Sequence, residues 1–118
     1  MKSRESVVRL KAFQLNDKRR QLAQIQTMMA ELEKMRSELE LQIATEEKKA
    51  GITDTAHFAY PTFAKAARQR ANNLMGSIKE LKVQLDAAEL AVEEAEAEYA
   101  KAAALEERDS GQRVGKAV

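Results

Sequence analysis

A single break at the midpoint of the chain separates two long segments with heptad periodicity, and this arrangement limits the possible folds more than any other feature. The break, residues 51–63, contains the only proline (Pro61) and the only histidine (His57) of the 118 residues. The flanking segments contain almost no glycine and repeat apolar residues every seven positions, as helices of coiled coils do. Two such helices with a breaker between them predict a chain that folds back on itself.

The heptads define a candidate core. In the first segment, positions a and d fall on Val8, Lys11, Leu15, Lys18, Leu22, Ile25, Met29, Leu32, Arg36, Leu39 and Ile43. In the second segment, they fall on Ala64, Ala67, Ala71, Leu74, Ile78, Leu81, Leu85, Ala88, Val92, Ala95, Tyr99 and Ala102. The repeat is weakest at Lys11 and Lys18, where cations occupy d positions. We expect a narrow apolar seam, since only 4% of the residues are aromatic.

The predicted fold is all-α, a long antiparallel two-helix coiled-coil hairpin that forms a single domain over residues 1–108. We place helix 1 at about residues 3–49, the connector at 50–60, helix 2 at about 61–108 and a flexible tail at 109–118. Gly51 suits the left-handed residue that follows a helix, and Pro61 is tolerated in a first helical turn. Ser110, Gly111 and Gly115 interrupt the periodic pattern and predict the tail.

Charge is segregated although the formal net charge is only +1. Residues 1–20 hold seven Lys or Arg against two acids, and residues 86–109 hold nine acids against two bases. In a hairpin these two blocks lie side by side, and opposite charges along a helix pair select the orientation of the partners. The near-zero total argues against a nucleic-acid or membrane binder that acts through bulk charge.

Few residues are suited to catalysis or to metal binding. The chain has no cysteine, its single imidazole lies in the connector, and no glycine-rich phosphate loop is present. Paired glutamates fall on exposed helix faces, with no pocket to fix them for acid–base chemistry. No apolar run approaches the ~18 residues of a membrane-spanning helix. We therefore expect a cytoplasmic protein that is not an enzyme and uses no cofactor or metal.

Two groups of residues are candidates for partner binding. The basic group lies on helix 1 and comprises Arg9, Lys11, Phe13, Arg19 and Arg20. It is open to three interpretations: a solvated face or a complement to the acidic block of helix 2, contact with an acidic protein, or binding of nucleic acid or of an anionic membrane surface. The aromatic group of the midpoint break, residues 51–63, comprises Phe58, Tyr60 and Phe63. These rings either pack on one another and on Ile52, or form an exposed apolar knob.

Several motifs resemble those of the flagellar FliJ family, especially its alphaproteobacterial type. In the first half they are Met1-Lys2-Ser3-Arg4, Arg9-Leu10-Lys11, Phe13-Gln14, Lys18-Arg19-Arg20-Gln21, Gln24-Ile25 and Glu46-Glu47-Lys48. The connector adds Gly51-Ile52 and His57-Phe58-Ala59-Tyr60-Pro61-Thr62, which is the most specific of them. The resemblance spans most of the chain to about Leu105.

This resemblance implies an antiparallel coiled coil similar to the central stalk of rotary ATP synthases. It implies a non-enzymatic component of the flagellar type III export apparatus, at the cytoplasmic face of the flagellar base. The implied partners are the export ATPase ring, the cytoplasmic domain of the export gate and export chaperones, which family members are held to recycle. We expect membrane association only through these partners, no nucleic acid, and a monomer or weak oligomer.

Two other classes of function remain open from the residues alone. The alanine-rich seam of helix 2 is compatible with a self-associating scaffold that is unrelated to export. The basic group of helix 1 is compatible with a nucleic-acid binder, for which affinity would fall steeply with salt.

Overall fold

The computed structural model describes residues 2–117 and contains two long α-helices. Helix α1 is Lys2–Ala50 and helix α2 is Thr62–Ala117, and a connector of residues 51–61 joins them. Residues 2–117 contain no strand. The prediction of an all-α antiparallel helical hairpin is confirmed.

Helix α1 ends where the sequence supplies a C-terminal cap. Lys48 and Lys49 lie in the last turn, where their charge is favourable beside the negative end of the helix dipole. Gly51 has a φ of 70°, the left-handed conformation that was predicted for it. The backbone N–H groups of Gly51 and Ile52 both donate to the carbonyl of Glu47, at 2.9 and 3.3 Å.

The connector is held by local hydrogen bonds around Asp54. Its carboxylate accepts the N–H of Ala56 at 2.9 Å, and its carbonyl accepts the N–H of His57 at 3.1 Å. The carbonyl of His57 in turn accepts the N–H of Tyr60 at 3.0 Å. The carbonyl of Pro61 accepts the N–H of Lys65 at 3.0 Å, which begins the ladder of α2. The connector is thus a series of tight turns.

The heptad assignment matches the burial of the side chains. Every a and d position named above is buried or half-buried. The most buried of them are Leu15, Met29, Ile43, Ala64, Ala67, Ala71, Leu81, Val92 and Ala102. Much of the buried seam is alanine, so the helices pack along a narrow line.

The helix pair divides into two compact units, which we describe separately. The central unit is Ile25–Gln84, and it includes the connector. Its best-packed cluster joins Ile43 of α1 to Ala67 and Ala71 of α2, with Leu39 against it. Arg36 occupies an a position of this seam and donates a hydrogen bond to the sulfur of Met75 at 2.8 Å. A cation at an a position favours one register over others at some expense in stability.

The terminal unit consists of residues up to Gln24 and residues from Leu85 onward. Ion pairs between described residues cross between its helices, among them Arg4–Asp109 at 3.0 Å, Lys11–Glu98 at 3.5 Å and Arg19–Glu96 at 3.8 Å. The basic block of α1 therefore lies beside the acidic block of α2, as the segregation of charge predicted.

The predicted end of the second helix near residue 108 is wrong, because α2 continues to Ala117. Residues 109–117 of the predicted tail are helical, and Val118 lies outside the described residues. Glycine in a helix costs only about 1 kcal/mol against alanine, which does not by itself end a helix. Two contacts support this stretch: Asp109 pairs with Arg4, and Ser110 donates a hydrogen bond to the carboxylate of Glu106 at 2.9 Å.

Candidate partner-binding surfaces

A buried tyrosine fixes the connector to both helices. Tyr60 is only 7% exposed, and its hydroxyl donates to the carboxylate of Glu47 on α1 at 2.8 Å. The guanidinium of Arg68 on α2 donates to the same carboxylate oxygen at 3.0 Å. One carboxylate oxygen thus joins α1, the connector and α2. The heptads do not indicate Glu47 or Arg68, because neither lies at an a or d position.

The same network stabilises the charged form of Arg68. Hydrogen bonding with the side chain of Tyr60, and then with Glu47, raises the pKa of Arg68 above its ordinary value, while burial opposes the shift. Since arginine is already protonated throughout the physiological range, the network holds a permanent positive charge beside Glu47.

Phe58 stands at the surface of the connector and is 97% exposed. Its ring stacks on that of His57, with centroids 4.7 Å apart and planes 22° from parallel. His57 is held in turn, because its Nδ1 accepts the backbone N–H of Ala59 at 3.0 Å. An exposed phenylalanine on a hydrogen-bonded turn is well suited to enter an apolar pocket of a partner.

The three aromatic residues of the midpoint break, residues 51–63, do not form one cluster. Phe58 is exposed and contacts His57, Tyr60 is buried against the helices, and Phe63 lies half-exposed on the first turn of α2. Among the described residues, the only stacked pair of rings is His57 with Phe58. Neither interpretation of the sequence holds for all three, and only Phe58 and Phe63 present apolar surface.

The basic group of α1 is largely paired with acidic side chains. Lys11 and Arg19 pair with Glu98 and Glu96 of α2, and Arg20 pairs with Asp17 of its own helix at 3.1 Å. Arg9 is exposed. The interpretation of this group as the complement of the acidic block therefore agrees with the geometry, while the outer surfaces of Arg9, Arg19 and Arg20 stay accessible.

Phe13 adds apolar surface to this basic group. It is 64% exposed and lies beside a groove of about 450 Å³ between the two helices of the terminal unit. Lys11 and Lys18 line the groove from α1, and Ala91 and Ala95 line it from α2. The sequence analysis missed the groove. The signal was present as alanines on two successive turns of α2, facing the side of α1 that carries Phe13.

Other kinds of site are not found in the part of the chain that the structure describes. It contains no cluster of three or more histidine, cysteine or acidic side chains that could hold a metal ion. Neither of its helices has a stretch apolar enough to cross a lipid bilayer.

Comparison of the chain with protein-family models, with curated proteins and with solved structures finds no match.

Proposed function

We propose that this chain is a non-enzymatic stalk or adaptor of a flagellar type III protein export apparatus. It would bind the export ATPase ring and link the ring to the cytoplasmic domain of the export gate, with export chaperones as further partners. The observation that carries the proposal is the resemblance of residues 57–62 to the FliJ family, because these residues build the turn that presents Phe58. The helical hairpin is the fold that this resemblance implies.

The terminal unit is the part that we assign to the ATPase ring. Its outer surface carries Arg9, Arg19 and Arg20 together with the exposed ring of Phe13. An apolar anchor surrounded by arginines is typical of protein interfaces, and the charges would speed association with an acidic surface. Lys11 is half-buried and paired with Glu98, so its contribution to such a contact would be smaller.

The connector is the part that we assign to a second partner, the export gate. Phe58 and the half-exposed Phe63 would be its anchors, and the buried Tyr60 would support them from below. Truncation of Phe58 should leave the helices intact, because the side chain has no core contact to lose.

Co-migration of the purified chain with the export ATPase encoded in the same genome tests the assignment of the terminal unit. We expect Arg20→Glu to weaken the complex at least about tenfold, since a fully contacted arginine contributes over 1 kcal/mol to an interface. Lys34→Glu is the matched control, because Lys34 is an exposed cation at the same heptad position of α1. Equal effects of the two variants would exclude a specific role for the basic group, and absence of any complex would end the proposal.

Binding of the gate domain tests the connector in the same way. Phe58→Ala is expected to abolish binding and to leave helicity unchanged. Leu41→Ala, which truncates an exposed leucine of α1, is expected to leave both binding and helicity unchanged. If Phe58→Ala leaves the affinity for every partner unchanged, the connector is not a docking surface.

A further inference from the structure

The groove on one side of the terminal unit is longer than the part beside Phe13. A second opening of about 150 Å³ adjoins it, and both are lined by Lys11 and Glu98. Together they follow residues 4–18 of α1 and 91–105 of α2. Fifteen residues at a rise of ~1.5 Å give a groove about 20 Å long. We call this feature the terminal groove.

The floor of the terminal groove is apolar and shallow. It is formed by alanines of α2, among them Ala91, Ala95 and Ala102, while Val7 and Phe13 stand exposed along α1. Because an alanine side chain ends at Cβ, these positions leave space that large apolar side chains from outside could fill. The groove therefore fits an occupant with large apolar residues at helical spacing.

The walls of the terminal groove carry opposite charges. Lys11 and Lys18 lie on the α1 side, and Glu94 and Glu98 lie on the α2 side. Lys11 pairs with Glu98, but neither Lys18 nor Glu94 forms an ion pair with another described residue. Asp17 also lines the groove, but it is already bound to Arg20 and Gln21. An occupant is favoured if it places an acid near Lys18 and a base near Glu94.

A second copy of the chain has the required features, namely large apolar residues at helical spacing, an acid that can reach Lys18 and a base that can reach Glu94. Its α1 has Val7, Leu10 and Phe13 exposed over two turns, followed by Lys18, and its α2 carries the acidic residues. The Arg4–Asp109 and Lys11–Glu98 pairs fix which levels of the two helices correspond. At those levels, an α1 laid antiparallel over α2 brings Val7 near Leu105, Phe13 near Ala95 and Lys18 near Glu94.

We propose that a second copy of this chain binds in the terminal groove and forms a weak homodimer. The two copies are related by a twofold axis parallel to the helices, which places α1 of each copy over α2 of the other. A twofold axis perpendicular to the helices would instead place α1 over α1 and bring cations against cations. The segregation of charge thus selects the first arrangement, in which every contact occurs twice.

The dimer belongs to the weak class of complexes. An interface that covers about four helical turns on each helix is small, and small interfaces form transient complexes. Its charged walls are open to solvent, so added salt should weaken it. The inference does not rest on the proposed function. If both hold, a second copy and the ATPase ring compete for Lys11 and Phe13.

Charge reversal at one pair of residues provides the decisive experiment. Sedimentation equilibrium of the full chain should show a reversible dimer, and Lys18→Glu or Glu94→Lys alone should each shift it to monomer, because each places like charges together twice. An equimolar mixture of the two variants should dimerise again, because both contacts of the mixed dimer then join opposite charges. A misfolded variant could not give this rescue. A mixture that stays monomeric overturns the proposal, as does a parent chain that is monomeric up to its solubility limit.

Two exposed phenylalanines provide an independent check. Phe13→Ala is expected to raise the dissociation constant of the dimer about tenfold, a typical effect for an interface anchor. Phe58→Ala removes an even more exposed ring from the connector and is expected to leave the constant unchanged. If instead Phe58→Ala raises the dissociation constant and Phe13→Ala leaves it unchanged, the copies associate through the connector. That result would overturn the assignment to the terminal groove.

Discussion

At the scale of single residues, glycine affects stability in opposite directions at two positions of this chain. Gly51 adopts a φ of +70°, whereas Gly76 lies inside α2 with ordinary helical geometry. A Cβ added at either position meets no atom within 4 Å, so the effect of a substitution is that of the backbone alone. The pair therefore separates conformational preference from packing.

We predict that Gly51→Ala and Gly76→Ala change stability in opposite directions. The first should lower the free energy of unfolding by about 1–2 kcal/mol, the cost of a left-handed L-residue. The second should raise it by up to about 1 kcal/mol, the difference in helix propensity. Urea unfolding followed by circular dichroism measures both. An unchanged or higher stability of Gly51→Ala would contradict the capping role of Gly51.

The hydroxyl of Tyr60 gives a second prediction at this scale. Tyr60→Phe removes its hydrogen bond to Glu47 and should lower the free energy of unfolding by about 1 kcal/mol. Arg68 remains on the same carboxylate, so the loss should not be larger. Tyr99→Phe is the control, since the half-buried Tyr99 has no hydrogen bond from its hydroxyl to a described residue. If thermal unfolding shows that both variants lose the same free energy of unfolding, the hydrogen bond of Tyr60 to Glu47 does not stabilise the fold.

At the scale of the helices, the seven-residue repeat was enough to predict the buried seam. Burial at a and d follows from geometry, because a repeat close to the helical period keeps one stripe facing the partner helix. Alanine at several of these positions reduces the apolar area, so the remaining large side chains should carry much of the stability. Ile43 is the clearest example, since it packs on Ala67, Ala71 and Leu39.

Truncation of Ile43 should therefore be far more costly than truncation of Leu41, two residues earlier. Ile43 is 5% exposed and Leu41 is 69% exposed. We expect Ile43→Ala to lower the free energy of unfolding by roughly 2–4 kcal/mol, and Leu41→Ala to change it by less than about 0.5 kcal/mol. Chemical unfolding of the two variants checks this. Comparable losses would mean that the heptad register is misassigned.

The terminal unit has a seam that its own charges weaken. Lys11 lies half-buried at a d position and pairs with the largely exposed Glu98. A solvent-exposed ion pair contributes only about 0–1 kcal/mol, less than a leucine can gain in an apolar seam.

We predict that Lys11→Leu raises the free energy of unfolding by on the order of 1 kcal/mol. The midpoint of thermal unfolding should rise accordingly. Lys34→Leu, at an exposed position of the same helix, serves as the control and should leave the midpoint nearly unchanged. A lower midpoint for Lys11→Leu would show that the pair with Glu98 stabilises the unit more than the seam does.

At the scale of the whole molecule, the features that sequence could predict are those that depend on one helix at a time. Periodicity gives the seam of each helix, and Gly51 marks the end of the first. The burial of Tyr60 depends on Glu47 and Arg68, which are 13 and 8 residues away along the chain, and no local pattern brings them together. The continuation of α2 past Arg108 depends on contacts such as that of Asp109 with Arg4, which composition does not reveal.

Some features of the candidate surfaces could likewise be predicted from the sequence, and others depend on contacts between the helices. The sequence indicated Phe13 within the basic group and Phe58 within the aromatic group, and the structure leaves both exposed. The terminal groove was not predicted, because the alanines of α2 indicate it only when the flank of α1 that they face is known. Tyr60 was grouped with Phe58 and Phe63 because the three rings lie close together in the sequence, whereas in the structure its hydroxyl has a partner on α1.

The role in export is tested by the rate of ATP hydrolysis of the export ATPase encoded in the same genome. It would be measured with increasing amounts of the purified chain, and with Arg20→Glu and Lys34→Glu variants in parallel. We predict faster hydrolysis that saturates as rings are occupied, with loss of the effect for Arg20→Glu and not for Lys34→Glu. An unchanged rate, together with no complex between the chain and the ATPase, would contradict the proposed role in export.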